Sequence, residues 1–407
     1  MVRILAFFTL IISASFNAQI LIPAMEDTLE HKQEFYINLN VDYFSTSISN
    51  AVSKKFYRGG DISDLAIADS YNQHKNVNIF GLLINSELEY RNGAIHLDKA
   101  NKWGLILRTG AYGYASASYS KELFGTIFQG TKQYIGKTAD YSGSSFDAGS
   151  FQKIGGGIYN KITKTSFCLN IVHMSNYASA FVREASLTQA VDSTNINLVV
   201  DGTYSQKLKS KVPSMGASVD IDIRLPIEWG KTNQRAWVQL YASNLGFAVP
   251  TVVNQYSIDS SYIYNGLTFN QLLDSSLLKK DGAAWLDSLG ITYHRNAKVV
   301  ALPALIQFAK IVDANSLQKF QLFCGIRIMP TISFVPNVFA GIHWRPLKIW
   351  STGFQASYGG FGGYRSGLYS NLHLKKLTVS LGSENLYGLI SKNAHGQSIV
   401  FKAALKL

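Results

Sequence analysis

The stretch "ASVDIDIRL", residues 217–225, alternates apolar and polar side chains without a break. The apolar members are Ala217, Val219, Ile221, Ile223 and Leu225. The polar members are Ser218, Asp220, Asp222 and Arg224. Because successive side chains of a β-strand point to opposite faces, this period of two predicts a strand with one apolar face and one charged face.

The same alternation recurs along the chain. In "FYINLNVDY", residues 35–43, the odd-numbered positions are apolar or aromatic, and Asn38, Asn40 and Asp42 lie between them. Further alternating stretches occupy residues 196–204, 236–242, 377–381 and 399–407. We therefore predict an all-β fold assembled from many such strands.

The first residues predict export. Arg3 is followed by an apolar run over residues 4–12 and then by small and polar residues up to Ala18. This arrangement is typical of a secretory signal peptide, which we place at residues 1–18 with cleavage before Gln19. The apolar run is shorter than the roughly 20 residues of a membrane-spanning helix. Residues 19–407 are then expected to form the mature protein.

Alternation alone does not distinguish a soluble β-sandwich from a membrane barrel. The predicted export and the high aromatic content of 13% favour the barrel, whose strands are usually about 10 residues long. At about 20 to 25 residues per strand and turn, the length predicts roughly 14 strands, within a range of 12 to 16. The predicted architecture is a single transmembrane antiparallel β-barrel with short helical insertions.

Two segments interrupt the strand pattern. Residues 265–296 begin with a capping box formed by Thr268 and Gln271 and continue with leucines at helical spacing, which predicts a helical loop insertion. A second, weaker candidate for a short helix begins at about Ser63. Either segment could plug the barrel mouth, but packing on the rim is the preferred interpretation.

The polar face of the alternating strands is expected to line the barrel lumen, because Arg or Lys on the lipid face costs about 2 to 4 kcal/mol at mid-membrane. The predicted lumen-lining residues are Asn38, Asn40, Asp42, Asp220, Asp222, Arg224, Lys402 and Lys406. Such charges can line a water path, or they can pair and block it. The sequence leaves both possibilities open.

No motif for a metal, a cofactor or a phosphate-binding loop is found. The two cysteines, Cys168 and Cys324, form no metal-binding pattern, and the glycine-rich stretch "YGGFGGYRSG", residues 358–367, is typical of a strand end or a bend in the barrel wall. The formal net charge of +12 favours anionic partners. We expect outer-membrane lipids and lipopolysaccharide as partners, and the barrel-assembly machinery during biogenesis, but no nucleic acid.

One stretch contains a candidate catalytic pair. In "IVHMSNYASAF", residues 171–181, His173 and Ser175 are two positions apart and would share a strand face. Outer-membrane lipid hydrolases resemble this stretch in carrying His-x-Ser-Asn on a strand. A Ser-His pair needs a third group to orient the imidazole, and the nearest downstream carboxylate, Glu184, is poorly spaced for that role. The preferred interpretation is a strand end at the membrane interface, not an enzyme.

Three regions resemble a family of uncharacterised outer-membrane barrels from Bacteroidota, recorded as a domain of unknown function. They are "FYRGGDISDLAIADSYNQHKNVNIFGLLINSELEYR", "VQLYASNLGF" with "SYIYNGL", and "LGSENLYGLISKNAHGQSIVFKAALKL". The resemblance covers nearly the whole mature chain. It implies a single barrel of the broad class that includes FadL-type fatty-acid transporters, and it transfers no catalytic residue.

Three functions remain open at this stage. The first is a passive channel or transporter for small molecules, hydrophobic ones among them, in the outer membrane of a Gram-negative bacterium, gated by residues 265–296. The second is a barrel that does not transport and acts as a scaffold or accessory in surface secretion or envelope assembly. The third is a lipid hydrolase that uses His173 and Ser175. The oligomeric state is left open.

Overall fold

The computed structural model describes residues 31–95, 97–192, 195–229, 234–264, 290–313, 316, 318–330 and 332–407. The predicted signal peptide, residues 1–18, lies outside these ranges. So does most of the predicted helical insertion, including its capping box at Thr268 and Gln271. Both remain predictions.

The described chain is mostly β-strand. In chain order the strands are β1 Gln33–Ser45, β2 Asn78–Asn92, β3 Trp103–Tyr119, β4 Thr138–Asp140, β5 Ser145–Asn160, β6 Ser166–Gln189, β7 Ile196–Lys207, β8 Met215–Trp229, β9 Gln234–Val249, β10 Val253–Tyr264, β11 Ile291–Asn296, β12 Val300–Ala301, β13 Leu305–Ile311, β14 Phe320–Ile328, β15 Val335–Leu347, β16 Trp350–Gly360, β17 Tyr364–His373, β18 Leu377–Ser383 and β19 Gly396–Lys406. The helices are α1 Asn50–Arg58, α2 Asp64–Gln73, α3 Lys121–Gln129 and α4 Leu386–Ile390, with one 3-10 turn at Lys132–Tyr134. Among the described helices, none is long and apolar enough to cross a membrane.

Fourteen of these strands close into a ring in which every neighbouring pair is antiparallel. The order is β1–β2–β3–β5–β6–β8–β9–β13–β14–β15–β16–β17–β18–β19–β1. The ring closes where β1 pairs with β19, from Glu34 opposite Lys406 to Phe44 opposite Gly396. The predicted all-β fold and strand number are confirmed.

The two ends of the ring differ. At one end the strands are joined by short turns, such as 161–165 between β5 and β6, and this end also holds Gln33, whose amide donates to the carbonyl of Leu407. We call it the short-turn end. At the other end, which we call the long-loop end, α1 and α2 lie between β1 and β2, and α3 and β4 lie between β3 and β5.

An additional sheet extends beyond the ring at the long-loop end. The first part of β6, residues 166–173, pairs with β8, whereas its continuation, residues 178–189, pairs with β7. Strand β7 pairs with β10, and β10 pairs with β11. Residues 291–296 therefore form a strand, which corrects the predicted helical insertion at its end. The short helix predicted from about Ser63 is present as α2. It begins there because the Ser63 side chain caps it by accepting a hydrogen bond from the amide of Ala66.

Candidate functional site: the closed interior of the barrel

The outer face of the ring is apolar. Large exposed apolar side chains on the ring strands include Phe35, Leu169, Leu225, Phe308, Leu322, Phe354, Leu381 and Ile399. They alternate with buried inward residues, as the period of two requires. An apolar surface of this extent is incompatible with water and fits the hydrocarbon of a bilayer.

Aromatic side chains border this surface at both ends. At the short-turn end the rings of Phe320, Trp344 and Trp350 lie next to one another, with centroid separations of 6.1 Å and 6.2 Å. At the long-loop end the exposed Tyr358 and Tyr364 are cross-strand partners. Trp350 and Tyr358 are both on β16, and strand rise and tilt place them roughly 20 Å apart along the barrel axis. This height fits a lipid-facing band of about 25 Å between two aromatic girdles.

Inside the ring, Asp220 is the centre of a buried polar cluster. Its side chain accepts hydrogen bonds from Arg108 at 3.1 Å, Lys153 at 2.7 Å and Asn170 at 3.0 Å, and from the backbone amide of Asn244 at 2.8 Å. Asn244 has a positive φ of 57°, next to the point where the β8–β9 register shifts. Strand β3, which holds Arg108, is not a neighbour of β8, so the Arg108–Asp220 pair crosses the lumen.

The polar cluster continues toward the short-turn end. Arg108 pairs with Glu89, and Glu89 pairs with Arg91 at 2.6 Å. Further along, Lys164 in the β5–β6 turn lies 3.0 Å from Glu34 on β1. Because β1 and the β5–β6 turn are on separate parts of the ring, this pair also crosses the interior.

A second set of ion pairs crosses the opposite side of the lumen. Arg327 on β14 donates to Glu384, which follows β18, at 2.6 Å, and to Gln307 on β13 at 2.7 Å. Arg365 on β17 pairs with Asp42 on β1 at 3.1 Å. Neither ion pair joins neighbouring strands, so each fills space that an open pore would leave to water.

We call the buried, ion-paired residues of the interior the ion-pair layer. Its acidic members are Glu34, Asp42, Glu87, Glu89, Asp220, Asp222 and Glu384. Its basic members are Arg91, Arg108, Lys153, Lys164, Arg224, Arg327 and Arg365. In these pairs, all of them between described residues, seven acids are matched by seven bases, so the groups that form them have no net formal charge.

An apolar plug closes the lumen at the long-loop end. The turn between β16 and β17 folds inward, which the positive φ of Gly359 and Gly360 permits, and places Phe361 in the interior at 1% exposure. The ring of Phe361 packs on Gly81 of β2, where any Cβ would lie 1.9 Å from it. Phe334, from the β14–β15 loop, meets Phe361 edge-on at 5.0 Å.

The β14–β15 loop contributes more to this plug. The amide of Ser333 donates to Ser116 Oγ on β3, on another part of the ring, at 3.0 Å. We define the apolar plug as Met329, Ile332, Phe334 and Phe361 together with the wall residues that they contact. Those wall residues include Phe44, Leu83, Tyr112, Phe151, Leu302 and Leu305. The plug and the ion-pair layer adjoin where the guanidinium of Arg365 lies 5.2 Å over the ring of Phe44.

A small cavity lies inside the barrel. Its volume is about 30 Å³, and its lining includes Asn85, Tyr112, Ser243 and Met329. Asn85 and its cross-strand partner Asn40 are buried, and neither side-chain amide has a hydrogen bond within the described structure. Buried polar groups of this kind usually bind water or a polar ligand. The cavity has room for only a couple of water molecules.

The predicted lumen-lining residues are placed as follows. Four are buried in ion pairs, namely Asp42, Asp220, Asp222 and Arg224. Asn40 and Lys406 are buried, whereas Asn38 and Lys402 are half-buried, all at inward register positions. Whether any of them lines a transport path remains a prediction.

Most of the ion-pair layer and all of the plug are not predicted from the sequence. The missed ionic partners are Glu34, Glu87, Glu89, Arg91, Arg108, Lys153, Lys164, Arg327, Arg365 and Glu384. Single charges inside otherwise apolar strands, such as Arg108 in "LILRTG", were the available signal. The glycine-rich stretch 358–367, interpreted as a strand end or bend, is a strand end whose turn carries Phe361 into the lumen.

The candidate catalytic residues do not form a triad. His173 is half-buried on the outer face, and Ser175 is the extra residue of a β-bulge, between the pairs Ser150–Asn176 and Phe151–Met174. The structure shows no hydrogen bond between the described side chains of His173 and Ser175. Glu184 is exposed and nine positions further along the same strand, roughly 30 Å away at the rise of a β-strand.

The closed ring and its apolar outer face define a transmembrane β-barrel. No family model matches the chain, and no curated protein is detectably similar to it. The resemblance to a Bacteroidota family therefore remains a prediction.

Several solved structures are similar at low sequence identity. A TodX monoaromatic hydrocarbon channel, the deltaS2S3 mutant, is 8% identical with a TM-score of 0.39, and the match covers 96% of this chain and 95% of that one. A Pseudomonas aeruginosa FadL homologue is 11% identical with a TM-score of 0.33, covering 91% and 88%. The translocator domain of the autotransporter NalP from Neisseria meningitidis is 5% identical with a TM-score of 0.27, covering 100% and 94%.

Proposed function

We propose that this chain is an outer-membrane channel or transporter for small molecules, hydrophobic ones among them, and that the structure is its closed state. The observation that carries the proposal is that loop residues close the lumen, whereas the wall is complete without them. Phe361 and Phe334 both lie in connections between ring strands. Such connections can move without breaking a strand ladder.

The chemistry of the interior supports small and uncharged solutes. The plug presents aromatic and aliphatic side chains toward the long-loop end, where an apolar molecule could take the place of Phe361 and make similar apolar contacts. The ion pairs between described interior residues match acids with bases, so these pairs provide no single-sign field to draw ions through. The plug and the Arg327–Glu384 pair fill the lumen side by side at the long-loop end, whereas Arg108 and Glu89 lie nearer the short-turn end.

The proposed location is the outer membrane of a Gram-negative bacterium, reached through the predicted signal peptide. The short-turn end would face the periplasm and the long-loop end the cell exterior, as is usual for such barrels. Lipopolysaccharide and the barrel-assembly machinery remain proposed partners.

Single-channel conductance of the refolded chain in planar bilayers tests this proposal. The plug variant combines Phe361→Ala with Phe334→Ala, and the pair variant combines Arg327→Ala with Glu384→Ala, so that no charge of that pair is left alone. Because the plug and this ion pair each fill part of the lumen, the one that remains should still obstruct it, and we expect each variant alone to conduct little more than the parent. The combined variant should conduct steadily.

The matched control for the plug variant removes two aromatic rings from the outer face, by Phe354→Ala and Phe320→Ala, which should leave conductance unchanged. A combined variant that folds and remains silent would contradict the channel. If the combined variant conducts no better than the plug variant, the Arg327–Glu384 pair is not a barrier to conduction.

The second candidate function is a scaffold or accessory in surface secretion or envelope assembly. One observation favours it. Strand β11, at the end of the additional sheet, pairs only with β10 among the described strands, and its residues are mostly exposed. An open strand edge can accept a strand from a partner protein. A combined variant that folds but shows no conductance would favour this second function over the channel.

A further inference from the structure

Exposed lysines gather at the short-turn end. They are Lys32, Lys99, Lys102, Lys319, Lys348, Lys375 and Lys376. They come from the segment before β1 and from the turns β2–β3, β13–β14, β15–β16 and β17–β18. Those strands are contiguous in the ring, from β3 through β1 and β19 to β13. We call this set the lysine arc.

Among the described residues, the lysine arc has few neighbouring acidic side chains to balance it. Among the described residues of these turns, the carboxylates are Asp98 and Asp313, and both are half-buried. Asp98 accepts hydrogen bonds from the backbone amides of Lys102 and Trp103, at 2.8 Å and 3.0 Å. None of the seven lysines forms an ion pair with a described residue. The arc is therefore a field of one sign.

At the long-loop end, exposed acidic side chains lie among the basic ones. There Lys55 and Arg58 of α1 are followed by Asp61 and Asp64, and Arg183 pairs with Asp201 at 2.9 Å. Mixed charges of this kind are the ordinary composition of a solvated surface. The short-turn end differs in that its exposed lysines are interrupted by no exposed acidic side chain among the described residues.

The aromatic girdle sets the depth of the arc. Lys102 directly precedes Trp103, Lys319 directly precedes Phe320, and Lys348 comes two residues before Trp350. Tryptophan at the end of a membrane strand lies where hydrocarbon meets headgroups. Lysines one or two residues further out can extend their ammonium groups to the level of the lipid phosphates.

We propose that the lysine arc binds the headgroup phosphates of anionic phospholipids in the leaflet next to the short-turn end. The proposal rests on membrane insertion of the ring, which the proposed function shares, but it does not depend on transport. Each lysine near an anionic surface contributes a preference of roughly a few-fold. Several lysines over neighbouring strands then select anionic over zwitterionic lipid around that part of the barrel.

The test uses the full chain in nanodiscs that contain equal amounts of phosphatidylglycerol and phosphatidylcholine. Native mass spectrometry after brief detergent extraction counts the lipids of each kind that remain bound. The arc variant changes Lys102, Lys319, Lys348, Lys375 and Lys376 to Gln. The control variant changes the same number of exposed lysines at the long-loop end, namely Lys55, Lys75, Lys132, Lys137 and Lys392, to Gln.

We expect the parent and the control variant to retain roughly tenfold more phosphatidylglycerol than phosphatidylcholine, and the arc variant to retain both equally. High salt should abolish the difference, because the lysines are exposed. Equal retention by the parent, or unchanged selectivity in the arc variant, would overturn the proposal. The proposal would also be overturned if free inorganic phosphate, at the same concentration as the lipid phosphate, displaced the bound lipid. Conductance of the combined plug and pair variant separates failure here from failure of the channel.

Discussion

Asp220 shows how one buried carboxylate can hold several strands together inside the barrel. Its carboxylate interacts with side chains from β3, β5 and β6 and with the backbone of β9. The alternating pattern predicts an inward position for Asp220 from its parity along the strand alone, and the structure buries this residue. Its partners Arg108 and Lys153 are more than 60 positions away in the sequence, so the periodicity contains no information about them.

Removing the charge of Asp220 should destabilise the barrel strongly. Asp220→Asn leaves Arg108 and Lys153 buried with less compensation, which we expect to cost about 3 to 5 kcal/mol of the free energy of unfolding. The control is Asp201→Asn, because its partner Arg183 is 74% exposed, and exposed pairs contribute less than about 1 kcal/mol. Urea unfolding in detergent micelles, followed by tryptophan fluorescence, measures both. Equal losses in the two variants would argue against a water-excluding ion-pair layer.

Single strands could be predicted from the sequence better than their connections. Strand β8 follows the alternation of "ASVDIDIRL", because its outer face meets lipid and its inner face meets charge. Other strands alternate less clearly, since inward positions such as Ile106 and Phe151 are apolar and fill the lumen. The inward turn at Phe361 was not predictable, because it depends on the bare backbone that Gly81 offers on another strand.

A charge in the outer face of a ring strand should prevent folding, whereas the same charge beyond the membrane should not. Leu169, on β6, is 70% exposed between Phe167 and Ile171. Val191, in the β6–β7 turn of the additional sheet, is 81% exposed. We expect Leu169→Arg to cost about 2 to 4 kcal/mol and Val191→Arg close to nothing. The fraction that folds into phospholipid vesicles measures the difference, and similar yields would contradict a lipid-facing β6.

At the scale of the molecule, the number of strands can be predicted from the chain length and the spacing of strands and turns. Whether the lumen is open or closed cannot. Length divided by strand-plus-turn spacing predicts the ring, since that spacing is set by membrane thickness. Whether inward charges pair or line water depends on which strands face each other across the ring. Here Arg327 meets Glu384 and Arg365 meets Asp42 across the lumen, and loops cover the rest.

Closure of the ring should determine whether the protein folds at all. Deleting residues 396–407 removes β19 and leaves the edges of β1 and β18 unpaired, and each unsatisfied backbone group in hydrocarbon costs several kcal/mol. Deleting residues 291–296 removes β11, which lies at the edge of the additional sheet outside the ring. Unheated and boiled samples on a gel distinguish the two outcomes, because a closed barrel resists detergent until it is heated. We expect the shift between unheated and boiled samples to persist without β11 and to vanish without β19. Its persistence without β19 would mean that the β1–β19 ladder does not hold the barrel closed.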